Sequence, residues 1–460
     1  MQLKCSGPRT VKFCHVLTCQ IRKISILFRR LIAIASTTVF FFSFSVSQTA
    51  LVIKTSRALC QVLDIIRTLA PRIFYALTSR SPELTAPITN NYHEFSFQYS
   101  DLSVRLAIPK QLQSKPEVTD LQFGKYFTDH MLKIAFYKQL GGWQKPEIIP
   151  FENLVLHPAA KVLHYAIELF EGMKAYRGVD DRIRVFRPDL NMERMNLSAI
   201  RTGLPPFNGE EMIKCLNRLV EVDQEWVPHC VASSLYIRPT FIGIDPSLGV
   251  ASSESALLYA ILCPVGSYFK AGEDGAISLL ADPSYTRAWP GGVGDRKMGS
   301  NYAPTVDIQS KANKKGLHQV LWLYGEDHQL TEAGTMNIFM FSVDDNGVKT
   351  LSTPPLNGLI LPGVTRHSII QLARHWGNMK IVEEPITMRR VIELLNKNQL
   401  LELFGSGTAC VVSPIGMINY LDQNIKIPTL DQPDAIHKRI RNTLTAIQYG
   451  YMEHPWARPI

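Results

Sequence analysis

No aspartate or glutamate occurs in the first 63 residues; the first acidic residue is Asp64. The same stretch carries nine basic side chains (Lys4, Arg9, Lys12, Arg22, Lys23, Arg29, Arg30, Lys54 and Arg57), which accounts for the whole net charge of +9. Without those nine, the 49 Lys and Arg fall to 40, matching the 40 Asp and Glu. A charge-neutral body has no basic excess with which to hold a phosphate backbone, so nucleic acid is excluded as its partner. Cysteine is also scarce. Cys5, Cys14, Cys19 and Cys60 lie in the basic leader, and Cys215, Cys230, Cys263 and Cys410 are scattered through the body. No body pair has metal-ligand or short-loop spacing, which excludes a zinc module and a disulfide scaffold and fits a reducing compartment. Internal repeats and low-complexity tracts are missing too, so the chain is no solenoid. With 46% hydrophobic and 19% charged residues it has ample material for packed cores, and its 460 residues favour more than one domain.

Between Arg30 and Lys54 stand 23 uncharged residues, Leu31 to Ile53, including Val39-Phe40-Phe41-Phe42. About 20 apolar residues suffice to span a bilayer, although Ser36, Thr37, Thr38, Ser43, Ser45 and Ser47 weaken this stretch. From Ser56 to Arg80, Leu59, Val62, Ile66, Leu69, Ile73 and Leu77 recur at helical spacing among Arg57, Arg67, Arg72 and Arg80, and Pro71 interrupts them. An amphipathic, arginine-containing, serine-rich and acid-poor N-terminus reads as a mitochondrial import sequence. A membrane anchor through residues 31–53, a secretory signal, or a leader without targeting role on a cytoplasmic protein, are the alternatives. Proline, serine and glutamine are frequent from Ser81 to Lys115, so the folded body is expected to start near Leu121.

The body alternates strand-like and helical stretches. Ile183 to Phe186, Ser234 to Arg238, Ala256 to Val265, Ile277 to Leu280, Gln319 to Tyr324 and Asn337 to Val343 read as strands. His164 to Tyr176, Glu210 to Asp223, Val364 to His375, Met388 to Leu403 and Pro433 to Tyr449 read as helices. The polar stretch Gly266 to Gly275 reads as a linker. The expected organisation is a leader and linker (1–120), a small α/β domain (121–265), an interdomain linker (266–276) and a larger domain (277–460), of mixed α/β class.

Four segments hold chemistry-bearing residues on unusual backbone. Trp289-Pro290-Gly291-Gly292-Val293-Gly294-Asp295-Arg296-Lys297-Met298-Gly299-Ser300-Asn301-Tyr302 fits neither the P-loop nor the dinucleotide fingerprint. It reads either as a surface turn with a solvated lysine, or as a lysine presented by backbone that only glycine permits and able to form a Schiff base. Thr331-Glu332-Ala333-Gly334-Thr335-Met336-Asn337 sets a carboxylate before an apolar strand. Leu361-Pro362-Gly363-Val364-Thr365 enters a helix whose free N–H groups can hold an anion. Phe404-Gly405-Ser406-Gly407-Thr408-Ala409 is a small-residue loop that a ligand can approach closely. Each also has an ordinary structural reading as a turn.

In this order the four segments resemble the class IV pyridoxal-phosphate-dependent aminotransferases, in wording nearest to their animal branched-chain-amino-acid group. The resemblance runs from about Phe123 to the C-terminus and includes Leu169-Phe170-Glu171-Gly172-Met173-Lys174, Leu190-Asn191-Met192-Glu193-Arg194-Met195 and Asp245-Pro246-Ser247-Leu248-Gly249-Val250. It implies a two-domain pyridoxal-phosphate enzyme of fold type IV, with a small N-terminal and a larger C-terminal domain. The implied reaction moves the amino group of leucine, isoleucine or valine to 2-oxoglutarate, by ping-pong kinetics in a homodimer. By resemblance Lys297 carries the cofactor, Glu332 faces its pyridine nitrogen and Tyr302 bonds its ring oxygen. Arg194, the backbone of Val364 and Thr365, and Thr408 hold its phosphate. Phe123, Tyr165, Phe170, Tyr236, Thr335, Thr408 and Ala409 form the substrate wall and α-carboxylate seat, and Arg238 meets a distal carboxylate. A D-amino-acid aminotransferase, a pyridoxal-phosphate lyase and a membrane-anchored, non-catalytic binding protein remain open. One departure stands out: animal mitochondrial relatives carry Cys-x-x-Cys after the small-residue loop, whereas Cys410 is followed by Val411, Val412 and Ser413. A disulfide switch within such a pair is therefore not expected.

Overall fold

Strand pairs of long register dominate the chain, because its apolar runs are rich in the β-branched and aromatic residues that fill a half-buried pleat. The computed structural model describes residues 96–266 and 275–460, all within one compact unit, Ile88–Ile460. The leader, the stretch 31–53, the expected helix from Ser56 to Arg80 and most of the expected linker lie outside the described residues. Among the described residues no helix is long and apolar enough to cross a membrane.

The first sheet runs in the order 103–104, 147–150, 130–137, 255–265, 234–243, 173–177, 183–186 and 457–459. At its centre Ser234–Gly243 and Ser255–Val265 pair antiparallel from Ser234↔Val265 to Gly243↔Ala256. Two helices cover it, α2 (Pro188–Thr202) and α3 (Gly209–Val222), after a short α1 (Lys161–Tyr165). α3 starts where Asn208 accepts from the N–H groups of Glu210 and Glu211, and buries Met212, Ile213, Leu216, Leu219 and Val220, one helical stripe, on Leu132, Ile134, Ile237 and Leu258. α2 opens on Pro188 and closes on Gly203 at φ +70°, the proline-first, glycine-last signature of a helix. The last strand, Ala457–Pro459, returns from the C-terminus to pair with Ile183–Phe186.

The second sheet holds Ile277–Ala281, Gln319–Tyr324, Gln329–Ala333, Met336–Val343, Lys349–Thr353, Leu400–Gly407 and Val411–Tyr420, with shorter edge strands. Gln329–Ala333 bonds both to Gln319–Tyr324 and to Met336–Val343, so six of the strands close on themselves and leave no free edge there. Helices α4 (Thr305–Lys314), α5 (Val364–Trp376), α6 (Met388–Asn396) and α7 (Ile436–Gln448) pack outside.

Three expectations change. The folded body begins before Leu121: Phe97 is 4% exposed, meets Trp143 edge to face at 5.1 Å and stacks on Phe207 at 6.0 Å. His164 to Tyr176 is not one helix. After α1 the chain turns at Ala166 (φ 48°) into strands Glu168–Phe170 and Met173–Arg177, both paired with Ser234–Gly243. Sheet pairing overrides the local pattern here, and Gly172 between the two strands packs so close to the Tyr236 hydroxyl that a Cβ would lie 2.0 Å from it. Met388 to Leu403 likewise splits: α6 stops at Asn396, Asn398 takes φ 55°, and Leu400–Gly407 joins the second sheet between two strands.

Candidate active site

Glu332 occupies the end of Gln329–Ala333, where the chain reverses through Gly334 and Thr335 into Met336–Val343. Gly334 stands at φ +59°, and a Cβ there would lie 2.2 Å from Gln319 Oε1. The turn sets Glu332 directly across from Asn337. Glu332 Oε1 accepts from the Leu361 N–H at 3.0 Å and from Asn337 Nδ2 at 3.2 Å, and Oε2 meets Arg287 Nη1 at 2.9 Å. Burial pushes this carboxyl up while Arg287 and the Leu361 N–H pull it back. Replacing Gly334 by alanine is expected to cost about 1–2 kcal/mol, the penalty of a left-handed residue with a side chain. A thermal melt checks this, and a melting temperature equal to the parent's contradicts it.

Lys297 sits on the glycine-rich segment. Gly294 allows the close approach there, since a Cβ would be 2.4 Å from the Ala288 Cβ and 2.9 Å from the Leu359 carbonyl. The Lys297 backbone is tied on both sides: its N–H donates to Ser198 Oγ at 3.1 Å and its carbonyl accepts from the Phe170 N–H at 3.1 Å. Its amine lies 3.4 Å from the Tyr302 hydroxyl and 4.8 Å from the Phe170 ring centroid. Burial, aided by the Arg194 guanidinium, lowers this amine from 10.5 to about 8. Burial raises the Tyr302 phenol to about 12. Only the neutral amine attacks a carbonyl, so capture of an aldehyde by Lys297 is expected to accelerate about tenfold per pH unit and to level off near pH 8. Stopped-flow absorbance on cofactor-free protein measures it, and a rise that continues to 10.5 contradicts the shift.

Arg194, on α2, binds the fully buried Glu171 through Nε at 2.7 Å and Nη2 at 2.8 Å, and donates Nη1 to the Pro362 carbonyl at 3.1 Å. Asn191 Nδ2 adds a bond to Glu171 at 2.7 Å. Burial opposes ionisation of Glu171, but the paired guanidinium wins and holds the carboxyl below its ordinary value. α5 begins at Val364 with no side-chain cap, so the N–H groups of its first turn face the cavity without intrahelical partners. Ser406 Oγ beside them is buried and unbonded.

These groups enclose a cavity of about 550 Å³. Thirteen residues expected from the sequence line it: Lys297, Glu332, Tyr302, Arg194, Val364, Thr365, Thr408, Phe123, Phe170, Tyr236, Arg238, Thr335 and Ala409. Tyr165 does not; its hydroxyl donates to the Leu248 carbonyl on the outer surface. One wall is aromatic, with Phe123 edge-on to Tyr236 at 4.9 Å. Arg238 lies over Phe170 and Tyr236 at 4.7 and 5.1 Å, donates Nη2 to the Tyr236 hydroxyl at 3.0 Å, and keeps a buried Nε without a partner. Sequence reasoning passed over Glu168, Glu171, Arg287, Asn337 and Ser406. Asn337 was visible as a polar residue opening an apolar strand run, whereas the burial of Glu171, inside a stretch of helical spacing, and the pairing of Arg287 with Glu332 are tertiary facts without a local signal. Cys410 also reaches the cavity; it is a free thiol, 7% exposed, and burial raises it to about 11, which leaves it a poor nucleophile.

The model of the family described as Amino-transferase class IV matches residues 168–418. The chain belongs to this family. A cytosolic branched-chain-amino-acid aminotransferase of Mus musculus is 52% identical over 361 residues, 78% of this chain and 93% of that protein. A mitochondrial branched-chain-amino-acid aminotransferase of Bos taurus is 51% identical over 373 residues, 81% of this chain and 94% of that protein. Among solved structures, a branched-chain aminotransferase from Thermoproteus uzoniensis with norvaline is 26% identical, covers 72% of this chain and 99% of its own, and superposes with a TM-score of 0.58.

As a class IV aminotransferase the chain is a pyridoxal-phosphate enzyme, and the cavity fits that group. The desolvated amine of Lys297 suits its aldehyde, the uncapped turn of α5 with Ser406 suits its phosphate, and the buried Glu332 carboxyl beside Arg287 suits its ring nitrogen.

Proposed function

We propose that the protein exchanges the amino group of L-leucine, L-isoleucine or L-valine with 2-oxoglutarate, giving the branched 2-oxo acid and L-glutamate. One observation carries the reading: a single cavity sets a desolvated lysine amine and a buried, cation-held carboxylate beside an aromatic wall that ends in an arginine. The names of the mouse and cattle relatives support the branched-chain substrate. Pyridoxal phosphate, when bound, supplies a conjugated ring that accepts the electron pair left when the substrate Cα loses its proton.

The chain's own residues do the rest. Lys297 takes the proton from the substrate Cα and returns it on the other side of the exchange, a task for an amine that titrates near working pH. Glu332, paired with Arg287 and bonded by the Leu361 N–H, would supply the negative charge that favours a proton on the ring nitrogen. Tyr302, held as a neutral phenol by burial, donates to the ring oxygen. The first turn of α5, with Arg194, Ser406 and Thr408, seats the phosphate. Phe123, Phe170 and Tyr236 dehydrate an aliphatic side chain, while Arg238 meets the distal carboxylate of glutamate, so one pocket serves both half-reactions. The backbone at Thr408 and Ala409 receives the α-carboxylate. Assay of L-leucine against D-alanine, each with 2-oxoglutarate, tests the reading. Turnover of D-alanine alone assigns a different class IV reaction.

Tyr165 and its exposed apolar neighbours favour a homodimer. Val155 (96% exposed), Leu163 (58%), Leu248 (62%) and Val250 (81%) leave a large apolar surface in water. A second copy is the occupant we propose, with Tyr165 turned towards the partner's cavity. Light scattering should give twice the chain mass, and a monomer at working concentration overturns this. Delivery to mitochondria is supported by the acid-free leader alone, since similar relatives include both cytosolic and mitochondrial proteins. A fluorescent fusion of residues 1–95 reads the address directly.

A further inference from the structure

Behind the Thr408–Ala409 turn lies a second cavity of about 530 Å³, nearly the size of the first. It is lined by Lys174, Tyr176, Ala409, Cys410, Gln448 and Tyr449, among others, and it shares Ala409 and Cys410 with the catalytic cavity. Lys174, on Met173–Arg177, is 7% exposed and donates one of its three N–H bonds, to the Ala409 carbonyl at 2.9 Å. Among the described residues no carboxylate is in ion-pair range of it, and burial lowers its amine to about 8. Gln448, on α7, is 5% exposed, and its Oε1 is buried without a hydrogen-bond partner. A buried cation without an anion and a buried acceptor without a donor are both costly, and both are relieved by one kind of guest.

We propose that this cavity binds a small organic carboxylate that also bears a hydroxyl or amino group, with the carboxylate on Lys174 and the donor on Gln448 Oε1. The walls set the class. Tyr176 and Tyr449 meet edge to face at 5.1 Å and offer an apolar surface, and Arg441 lines the cavity as well as Lys174, so its walls suit an anion. The coupling route is short: a guest that draws Lys174 away from the Ala409 carbonyl moves the same peptide whose other side faces the catalytic cavity. Occupancy of the second cavity therefore changes substrate affinity.

The probe is 4-hydroxybenzoate, titrated calorimetrically into the full-length, cofactor-loaded enzyme; the readout is binding, independent of the transamination reading. The expected result is one site per chain, weakened at least tenfold by Lys174→Met and by Ala446→Phe, which fills the cavity from α7. Lys174→Arg keeps the cation and retains binding. Arg238→Met, on the catalytic side, leaves it unchanged. Saturating probe shifts KM for L-leucine several-fold in the parent but not in Ala446→Phe, whose basal turnover is intact. The proposal is overturned if no heat is seen, if Arg238→Met abolishes binding while Ala446→Phe does not, or if inorganic phosphate displaces the probe with equal affinity. A KM that ignores the probe removes the coupling.

Discussion

Lys297→Ala loses transamination by at least about 10⁴-fold, because a positioned acid–base group contributes about 10²–10⁴ and the covalent hold on the cofactor disappears with it. The expected spectroscopic companion is loss of the visible band of the loaded enzyme and of its shift on adding L-leucine. The fold should survive. The amine makes one hydrogen bond, long at 3.4 Å to Tyr302, and sits desolvated next to Arg194, so its removal relieves a poorly compensated charge rather than opening an ion pair. The melting temperature of the cofactor-free variant is therefore expected at or above that of the cofactor-free parent. Lys297→Arg keeps the charge but offers no neutral amine near pH 8, and it should be as inactive as the alanine variant. Residual turnover within tenfold of the parent, with the band intact, moves the acid–base role to another residue.

The residues to which we assign the chemistry were legible because they sit on backbone that few sequences need: a lysine after Gly291-Gly292-Val293-Gly294, a glutamate before a Gly-Thr reversal, an uncapped helix entrance after Pro362-Gly363. Turn chemistry is local, so the string of residues records it. Three strands of the second sheet, Ile277–Ala281, Gln319–Tyr324 and Met336–Val343, were readable for the same reason, being runs of apolar residues bounded by turns, whereas Leu400–Gly407 reads in part as helix. What the string does not record is which distant partner a residue finds. Arg287 has no local feature that selects it, yet it fixes Glu332, 45 positions away, at 2.9 Å. The stretch His164 to Tyr176 has helical spacing, yet Glu168–Phe170 and Met173–Arg177 pair with Ser234–Gly243, and Gly172 between them seats against the Tyr236 hydroxyl, 64 positions away. Tyr165 illustrates the limit from the other side: resemblance put it at the substrate wall, and within one chain it faces outward.

Arg194→Met separates the structural from the catalytic share of the cavity. Glu171 is 0% exposed and keeps only Asn191 and the Gly172 N–H when the guanidinium is gone. Breaking one side of a buried pair costs about 3–5 kcal/mol, more than a typical point substitution, and the cofactor's phosphate loses a neighbouring charge as well. The pH dependence changes sign. In the parent, Arg194 holds Glu171 below its ordinary 4.5, so the pair's contribution is present above that value and lost as pH falls through the lowered one. In the variant, burial without a cation lifts the Glu171 carboxyl, the folded state binds the extra proton, and stability falls as pH rises above 4.5. Urea unfolding from pH 4 to pH 8 distinguishes the two slopes. Adding Glu171→Gln to Arg194→Met removes the stranded charge and should restore most of the stability while leaving phosphate affinity low, because the glutamine can still accept from Asn191 but nothing replaces the guanidinium. If the double variant is instead as unstable as the sum of the two single ones, Arg194 and Glu171 act independently, and the stability of this wall lies in the packing of α2 rather than in the pair.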